Sequence, residues 1–259
     1  MDECLLKELN DGVLTLTFNR PEKKNALNIA GWLALEQALL VANEDPMVAV
    51  VVLTGQGGNF SAGADLADFS VETAAEHPFD KTALALALFN KPLLCAIDGV
   101  AVGGGATLAL HADIIYVGGA LRMNFPFTRI GLSPELGSSY LLPQMIGARQ
   151  ASEILLTSEW IDADRCVELG IATAQFTSEQ LLEQTMRKAL EMAQWPVSSL
   201  VATKKLLKDV TREPMLAALE REGRKFRQML GQPENIEAVT AMLESRAPDF
   251  RQFRQANKV

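Results

Sequence analysis

The sequence predicts an α/β fold in which buried strands end at glycine-rich turns and lead into helices. Residues 48–54 and Leu93–Ile97 are short apolar runs, typical of strands in a sheet that is covered on both faces. A stretch rich in glycine and alanine follows each run, at residues 58–66 and 99–107. A strand that stops at glycines before a helix leaves backbone N–H groups without partners. If two such turns met, their N–H groups would hold one negatively charged oxygen between them.

The rest of the pattern predicts a mixed α/β core followed by a helical tail. Further strands are predicted over residues 13–18, 113–117 and 122–125, and helices over residues 27–43, 73–90, 104–111, 147–157, 162–169 and 178–195. The pair Trp195-Pro196 indicates a boundary. We therefore expect one domain over residues 1–196 and a helical region over 197–259. Pro214 and Pro233 predict that this tail is divided into three or four amphipathic helices.

Composition excludes several classes of function. The chain has 259 residues and a formal charge of -8, which argues against a broad basic surface for nucleic acid. Its three cysteines, Cys4, Cys95 and Cys166, are far apart and lack the spacing of a zinc site, and Cys95 is expected in the core. The sequence shows neither a signal peptide nor a membrane-spanning apolar run. We expect a cytoplasmic protein with no metal, nucleic acid or membrane partner.

The motifs around the two glycine turns resemble those of the crotonase (enoyl-CoA hydratase/isomerase) family. The stretches that carry the resemblance are Arg20-Pro21-Glu22-Lys23-Lys24-Asn25-Ala26-Leu27, Ser61-Ala62-Gly63-Ala64-Asp65-Leu66, Gly99-xxx-Gly103-Gly104-Gly105 and Asp113-Ile114-Ile115. Their order and spacing match the family from about residue 10 to about residue 205. Each motif alone is weak, and Gly103-Gly104-Gly105 by itself is equally consistent with a tight turn between strand and helix.

The resemblance implies a crotonase-like spiral of ββα units with a C-terminal helical trimerisation region. It also implies acyl-CoA thioester substrates of fatty-acid β-oxidation and a homotrimer, or a hexamer built as a dimer of trimers. Coenzyme A would be part of the substrate, so no separate cofactor is expected. In the family, two backbone N–H groups hold the thioester oxygen, and the matching positions here are Ala64 and Gly104.

The family resemblance also bears on which reaction is catalysed. Hydratases of the family use two glutamates, and the corresponding positions here are Thr107 and Arg129, neither of which can act as a base near neutral pH. Glu135 lies where the Δ3,Δ2-enoyl-CoA isomerases of the peroxisomal type carry their single catalytic glutamate. Outside this family, such a glutamate would be interpreted as a solvated residue near a helix N-terminus.

We therefore expect a Δ3,Δ2-enoyl-CoA isomerase in which Glu135 moves a proton from C2 to C4. The alternatives are an enoyl-CoA hydratase of unusual mechanism, a dienoyl-CoA isomerase, and a non-catalytic paralogue that only binds CoA. A phosphate-binding or nucleotide module is disfavoured, because the chain lacks the loop signature that such modules need.

Residues that would bind the CoA part are predicted near the first glycine turn. They are Lys24, Ala62, Asp65 and Leu66, although Asp65 could instead cap a helix and Lys24 could be a solvated lysine. Lys204, Lys205 and Lys258 of the tail are expected on a solvated face. Several apolar side chains are expected either to line the acyl pocket or to pack in the core: Phe60, Phe69, Phe125, Phe127 and Leu136. His77 is expected to be exposed and His111 to be packed.

Overall fold

The computed structural model of the protein describes residues 4–65 and 78–254. The strands are β1 (Leu5–Asn10), β2 (Val13–Phe18), β3 (Val50–Gly55), β4 (Leu93–Ile97), β5 (Val100–Val102), β6 (Ile114–Gly118), β7 (Arg122–Asn124), β8 (Trp160–Asp162) and β9 (Ala174–Phe176). The helices are α1 (Ile29–Glu44), α2 (Pro78–Leu88), α3 (Gly104–Ala109), α4 (Ser138–Ile146), α5 (Ala148–Thr157), α6 (Ala163–Leu169), α7 (Ser178–Ala193), α8 (Val197–Met229) and α9 (Pro233–Leu243). Short 3₁₀ helices lie at Pro21–Lys23, Thr128–Ile130 and Phe250–Arg254. None of the helices in these described ranges is long and apolar enough to cross a membrane.

The main sheet has six strands in the order β1-β2-β3-β4-β6-β9, and only the β1–β2 pair is antiparallel. Because neighbouring parallel strands end at the same edge of a sheet, the turns that follow β3 and β4 emerge side by side. Strands β5, β7 and β8 form a separate three-stranded sheet. Strand β5 follows the turn after β4 directly, so this second sheet carries the chain into α3.

Both faces of the main sheet are buried, as the apolar strand runs predicted. Val51 and Leu53 of β3 face the larger core cluster, which α1, α2 and α3 cover. Val50 and Val52 alternate with them and pack on the other face, against Ala189 of α7. The alternation explains why β3 is apolar at every position from Val50 to Leu53. Cys95 is fully buried in the same core, which confirms its predicted place.

The described part of the tail has three helical segments, α8, α9 and the 3₁₀ helix Phe250–Arg254, but Pro214 does not divide it as predicted. Helix α8 has 33 residues and runs through Pro214, while Pro233 begins α9 as expected. A proline inside a helix removes the N–H that would bond the carbonyl four residues earlier, here that of Val210. Val210 is 81% exposed, so water can bond the carbonyl in place of the missing N–H. Buried Met215 and Ala218, just beyond the proline, hold the next turn against the core.

Lys204 was predicted on a solvated face, and this prediction is wrong. Its side chain is buried at 8% exposure, where the ammonium lies 2.8 Å from a carboxylate oxygen of Asp113 and donates to the carbonyl of Lys91. Burial lowers the pKa of Lys204, and the Asp113 carboxylate opposes that shift. Asp113 also accepts the backbone N–H of Leu93, at the start of β4. This contact joins α8 to the sheet. Lys258 lies outside the described residues.

The Lys204→Met variant tests this anchor, with Lys205→Met as its control, because Lys205 is exposed on the same helix turn. We expect Lys204→Met to lower the free energy of unfolding by about 1 to 2 kcal/mol, since the Asp113 carboxylate and the Lys91 carbonyl lose a bonding partner, while Lys208 stays 3.5 Å from Asp113. Lys205→Met should change it by less than about 0.5 kcal/mol. Urea unfolding followed by circular dichroism measures both. Equal stability of the two variants would contradict the claim that Lys204 joins α8 to the sheet.

Candidate active site

The two glycine turns are packed directly on each other. The N–H of Ser61 donates to the carbonyl of Val100 at 2.9 Å, and the N–H of Val102 donates back to the carbonyl of Ser61 at 3.0 Å. A side chain at Gly63 would overlap the Val102 carbonyl and lie 3.1 Å from the nitrogen of Gly104. A side chain at Gly105 would overlap the carbonyl of Ser61. Glycine at these positions therefore permits the two turns to touch.

Ala64 presents an N–H group that points away from its neighbouring strand segment. The N–H of Leu27 donates to Gly63 at 2.7 Å, and the N–H of Asp65 donates to Leu27 at 2.9 Å. In such a parallel bridge the residue between the two partners, here Ala64, turns its own N–H to the other side. Among residues 4–65 and 78–254, that N–H meets no acceptor.

Gly104 presents the second N–H group, at the first position of α3. Gly103 before it has φ 53° and ψ -121°, a conformation that only glycine adopts without strain. The first N–H groups of a helix have no partner within the helix. Within the described ranges, the N–H of Gly104 donates to no other group. The structure thus brings the N–H groups of Ala64 and Gly104, which have no acceptor among the described residues, to adjoining turns.

Glu135 lies beside this pair of turns rather than in solvent. It follows the 3₁₀ helix Thr128–Ile130, and its side chain is only 8% exposed. A Cβ built on Gly104 would lie 3.4 Å from the Oε1 atom of Glu135 and 3.0 Å from the ring of Trp32. The carboxyl group therefore borders the space at the start of α3. Trp32 belongs to no recognisable sequence motif and was not among the predicted site residues.

Burial and, as the smaller cause, the nearby carboxylate of Glu222 together raise the pKa of Glu135 to about 8. Glu222, on α8, is buried as well, and burial raises its pKa although two backbone N–H groups oppose the shift. His111 is buried, as predicted, with Nε2 2.8 Å from the carbonyl of Leu136. Burial lowers the pKa of His111 to about 4, so the neutral ring donates to that carbonyl. Buried carboxyl groups with raised pKa values in one place are typical of functional sites.

The two positions that carry glutamates in hydratases of the family are occupied differently here. Thr107 is fully buried, and its hydroxyl donates to the carbonyl of Gly103 at 3.1 Å. Arg129 is exposed on the 3₁₀ helix. Residues 122–134 contain no aspartate or glutamate, so this segment offers no second carboxylate whichever of its residues faces the site.

The predicted CoA-binding residues lie next to the first turn. Lys24 is exposed, and its carbonyl accepts the N–H of Ala62 at 2.9 Å. The carboxylate of Asp65 pairs with Arg20 at 3.0 Å, a contact that the sequence analysis did not anticipate. Leu66 lies outside the described residues, as do Phe69 and His77. The roles of these residues in binding stay predictions.

The other candidate pocket walls belong to the protein core. Phe60, Phe125, Phe127 and Leu136 are almost fully buried in the larger cluster, and the ring of Phe60 packs edge-on against Phe18. In the part of the chain that the structure describes, no group of three His, Cys, Asp or Glu side chains is arranged to hold a metal ion.

Comparison with known proteins identifies the family of the chain. The family described as enoyl-CoA hydratase/isomerase matches residues 8–254. The chain is 33% identical to the 2,3-dehydroadipyl-CoA hydratase of Escherichia coli K12, over 92% of this chain and 95% of that protein. It is 30% identical to the 1,2-epoxyphenylacetyl-CoA isomerase of the same organism, over 96% and 99%.

Solved structures give the same result for the fold. An enoyl-CoA hydratase/isomerase from Pseudoalteromonas atlantica T6c superposes with a TM-score of 0.92 at 36% identity, covering 95% of this chain and 99% of that one. Pseudomonas aeruginosa OdaA superposes with a TM-score of 0.89 at 35% identity, covering 93% and 99%. The fold is therefore the crotonase fold with a helical C-terminal region, and the chain belongs to the enoyl-CoA hydratase/isomerase family.

Proposed function

We propose that this protein is a Δ3,Δ2-enoyl-CoA isomerase that uses Glu135 as its only acid–base group. The observation that carries the proposal is the place of Glu135, a buried carboxyl beside Gly104. The hydratase positions supply no carboxylate, so the known two-glutamate activation of water lacks its side chains. A double-bond shift needs one group that removes a proton and returns it, and it needs no water.

The proposed reaction has two steps. Ionised Glu135 removes a proton from C2 of a 3-enoyl-CoA, and the electron pair moves onto the thioester oxygen as a dienolate. The N–H groups of Ala64 and Gly104 stabilise that oxygen, and the loss of one such donor typically costs about 3–4 kcal/mol. Protonated Glu135 then donates the proton to C4, which leaves the double bond between C2 and C3 and regenerates the carboxylate.

The electrostatics of Glu135 support a role as proton shuttle. An acid–base group works best when its pKa lies near the operating pH, because it must both accept and donate the proton. The pKa of Glu135, raised to about 8, meets that condition far better than the usual value of 4.5. Glu135 is only 8% exposed, which limits contact of its carboxyl group with water, and Trp32 borders the same space beside Gly104.

The relatives leave the type of reaction open between isomerase and hydratase. One is named as a hydratase and the other as an isomerase, and both names refer to CoA thioesters. The absence of carboxylates from residues 122–134 and from position 107 favours the isomerase for this chain.

We also propose which residues bind the CoA part of the substrate. Lys24 is exposed and its carbonyl bonds the N–H of Ala62, so its side chain starts next to the first turn, where its ammonium would meet a CoA phosphate. Asp65, which pairs with Arg20, lies on the same side of the site.

The homotrimer would use α8, where the side chains of Leu206, Leu207 and Val210 are 74%, 72% and 81% exposed.

The Glu135→Gln variant tests the proposed base. We expect wild-type protein to convert a 3-enoyl-CoA into the conjugated 2-enoyl-CoA, and we expect the variant to lose at least about a thousandfold in kcat, the scale of general base catalysis. Absorbance of the conjugated thioester follows the reaction, with 2-enoyl and dienoyl thioesters tested in parallel. Near-wild-type turnover by the variant would exclude Glu135 as the base. Binding without turnover of any thioester would favour the non-catalytic paralogue.

Two controls separate chemistry from folding in that experiment. Glu153→Gln removes an exposed carboxylate of α5 and should leave kcat unchanged. The pKa of Glu135 in the folded state lies above its unfolded value, so the folded protein binds this proton more tightly and loses stability as the pH rises from about 4.5 to about 8. Glutamine does not titrate, so the variant does not lose this stability as the pH rises. Glu135→Gln should therefore unfold at the same or a higher temperature than wild type at about pH 8.

The pH dependence of kcat/KM gives a further prediction. The reaction begins with ionised Glu135, so kcat/KM should rise about tenfold per pH unit below a midpoint near 8 and level off above it. Initial rates at low substrate concentration, between about pH 6 and pH 9.5, measure the profile. A midpoint near 4.5 would mean that the carboxyl group is solvated, which contradicts its burial.

A further inference from the structure

The turn that carries Glu135 has an unusual backbone. Leu136 has φ +52° and Gly137 has φ +73°, so two consecutive residues lie in the left-handed region before α4 begins. Leucine rarely adopts this conformation, and such a turn persists only where its surroundings hold it. The direction of the Glu135 side chain depends on this turn, because Glu135 immediately precedes it.

Glu222 on α8 makes the longest-range contacts to the turn. Its Oε2 atom accepts the N–H of Gly137 at 2.6 Å, and its Oε1 atom accepts the N–H of Ser139 at 2.8 Å. Both oxygens of one buried carboxylate are therefore used, across 85 residues of sequence in the first case. Two N–H donors stabilise the ionised form of a carboxyl group.

Helix α8 also packs on the turn from the same side. A side chain at Gly137 would overlap the end of Met215, so the helix and the turn are in contact with no space between them. Met215, Ala218 and Glu222 are the buried residues of this helix face. The helix thus holds the Glu222 carboxylate at a fixed distance from the turn.

We propose, on the basis of the function proposed above, that Glu222 is a positioning residue of the reaction. From the helical tail it binds the N–H groups of Gly137 and Ser139 and so directs the Glu135 carboxyl group toward the space beside Gly104. It touches neither substrate nor reacting atoms, because both of its oxygens are used by the turn.

Glu222 also acts on Glu135 through its charge. Among residues 4–65 and 78–254, Glu222 of α8 is the charge that acts on Glu135, with Arg221 of the same helix beside Glu222 and His111, from the segment after α3, beside Leu136. His111 is neutral near pH 7 and bonds Leu136, and Arg221 acts on the Glu222 carboxylate. Glu222 is therefore the negative charge that disfavours ionisation of Glu135. One side chain thus positions Glu135 and adds to the effect of burial on its proton affinity.

The Glu222→Gln variant tests the proposal, with Glu220→Gln as its matched control, because Glu220 is an exposed carboxylate on the same helix. We expect Glu222→Gln to lower kcat at least about tenfold, since a small displacement of a catalytic group is costly, while KM changes less than about threefold. The midpoint of the kcat/KM profile should fall by at least about half a pH unit, because a negative charge is removed. Glu220→Gln should match wild type in all three.

The Glu222→Asp variant separates position from charge. Aspartate keeps the negative charge but is one methylene too short to bond both N–H groups. We expect kcat to fall as in Glu222→Gln, while the midpoint stays closer to that of wild type. A purely structural role would lower the amount of folded protein without moving the midpoint in Glu222→Gln. A wild-type kcat and midpoint in folded Glu222→Gln would overturn the proposal.

Two measurements keep this test independent of the reaction. If wild-type protein leaves 3-enoyl-CoA unchanged, the proposed function fails, and the positioning role is then judged by NMR. The carboxyl signal of Glu135, identified by its loss in Glu135→Gln, should titrate at lower pH in Glu222→Gln, and the amides of Gly137 and Ser139 should exchange at least about tenfold faster. If Glu222→Gln does not fold, the same interaction can be measured in Glu135→Gln. The carboxyl signal of Glu222 should titrate at a lower pH in that variant than in wild type, because each carboxylate raises the pKa of the other. Unchanged titration in the variant measured would overturn the proposal.

Discussion

The candidate active site depends on one close packing contact, between the turn after β3 and the turn after β4. Gly63 lies against the Val102 carbonyl, and Gly105 lies against the Ser61 carbonyl, with no space for a side chain in either place. This contact sets the places of Ala64 and Gly104, whose N–H groups have no acceptor among the described residues. Because backbone groups in packed turns move little, such donors are organised before a ligand arrives.

The carboxyl group of the site is set by a second contact, between the core and the helical tail. Glu135 has no hydrogen-bond partner for its carboxyl oxygens in the described part of the chain, whereas Glu222 uses both of its own. Burial raises the pKa of both carboxyl groups, but the N–H groups of Gly137 and Ser139 oppose the shift at Glu222, whereas Glu135 has no such donors among the described residues and retains its proton to about pH 8. The tail thus contributes to the chemistry that we propose, in addition to any role in assembly.

Much of the core and the main features of the site could be predicted from local sequence. The apolar run of β4 and the alternation of β2 fixed the predicted strands at Leu93–Ile97 and 13–18, which the structure reproduces. Glycine runs and Glu135 were recognisable because their chemistry is carried by short motifs. The short strands β8 and β9 and the helix α4 were missed, since three to nine residues carry little periodicity.

The residues that the sequence did not reveal act through long-range contacts. Trp32 reaches Gly104 from α1, Glu222 reaches Gly137 from α8, and Lys204 reaches Asp113. Periodicity indicates which face of a helix is buried, but it does not say which partner the face meets. A charged residue such as Lys204 or Glu222 is usually exposed, so only the partner's position shows that it is buried. Pro214 misled for a related reason, because solvent and tertiary packing together permit a helix that local preference disfavours.

A crystal structure of the protein with an unreactive acyl-CoA analogue would show whether the two N–H groups and Glu135 meet on one thioester. We expect the thioester oxygen within about 3.1 Å of the nitrogens of both Ala64 and Gly104. We also expect a Glu135 carboxyl oxygen within about 3.5 Å of C2 and of C4. A thioester oxygen bound by neither N–H group, or another carboxylate closer to C2 and C4 than Glu135, would contradict the proposed mechanism.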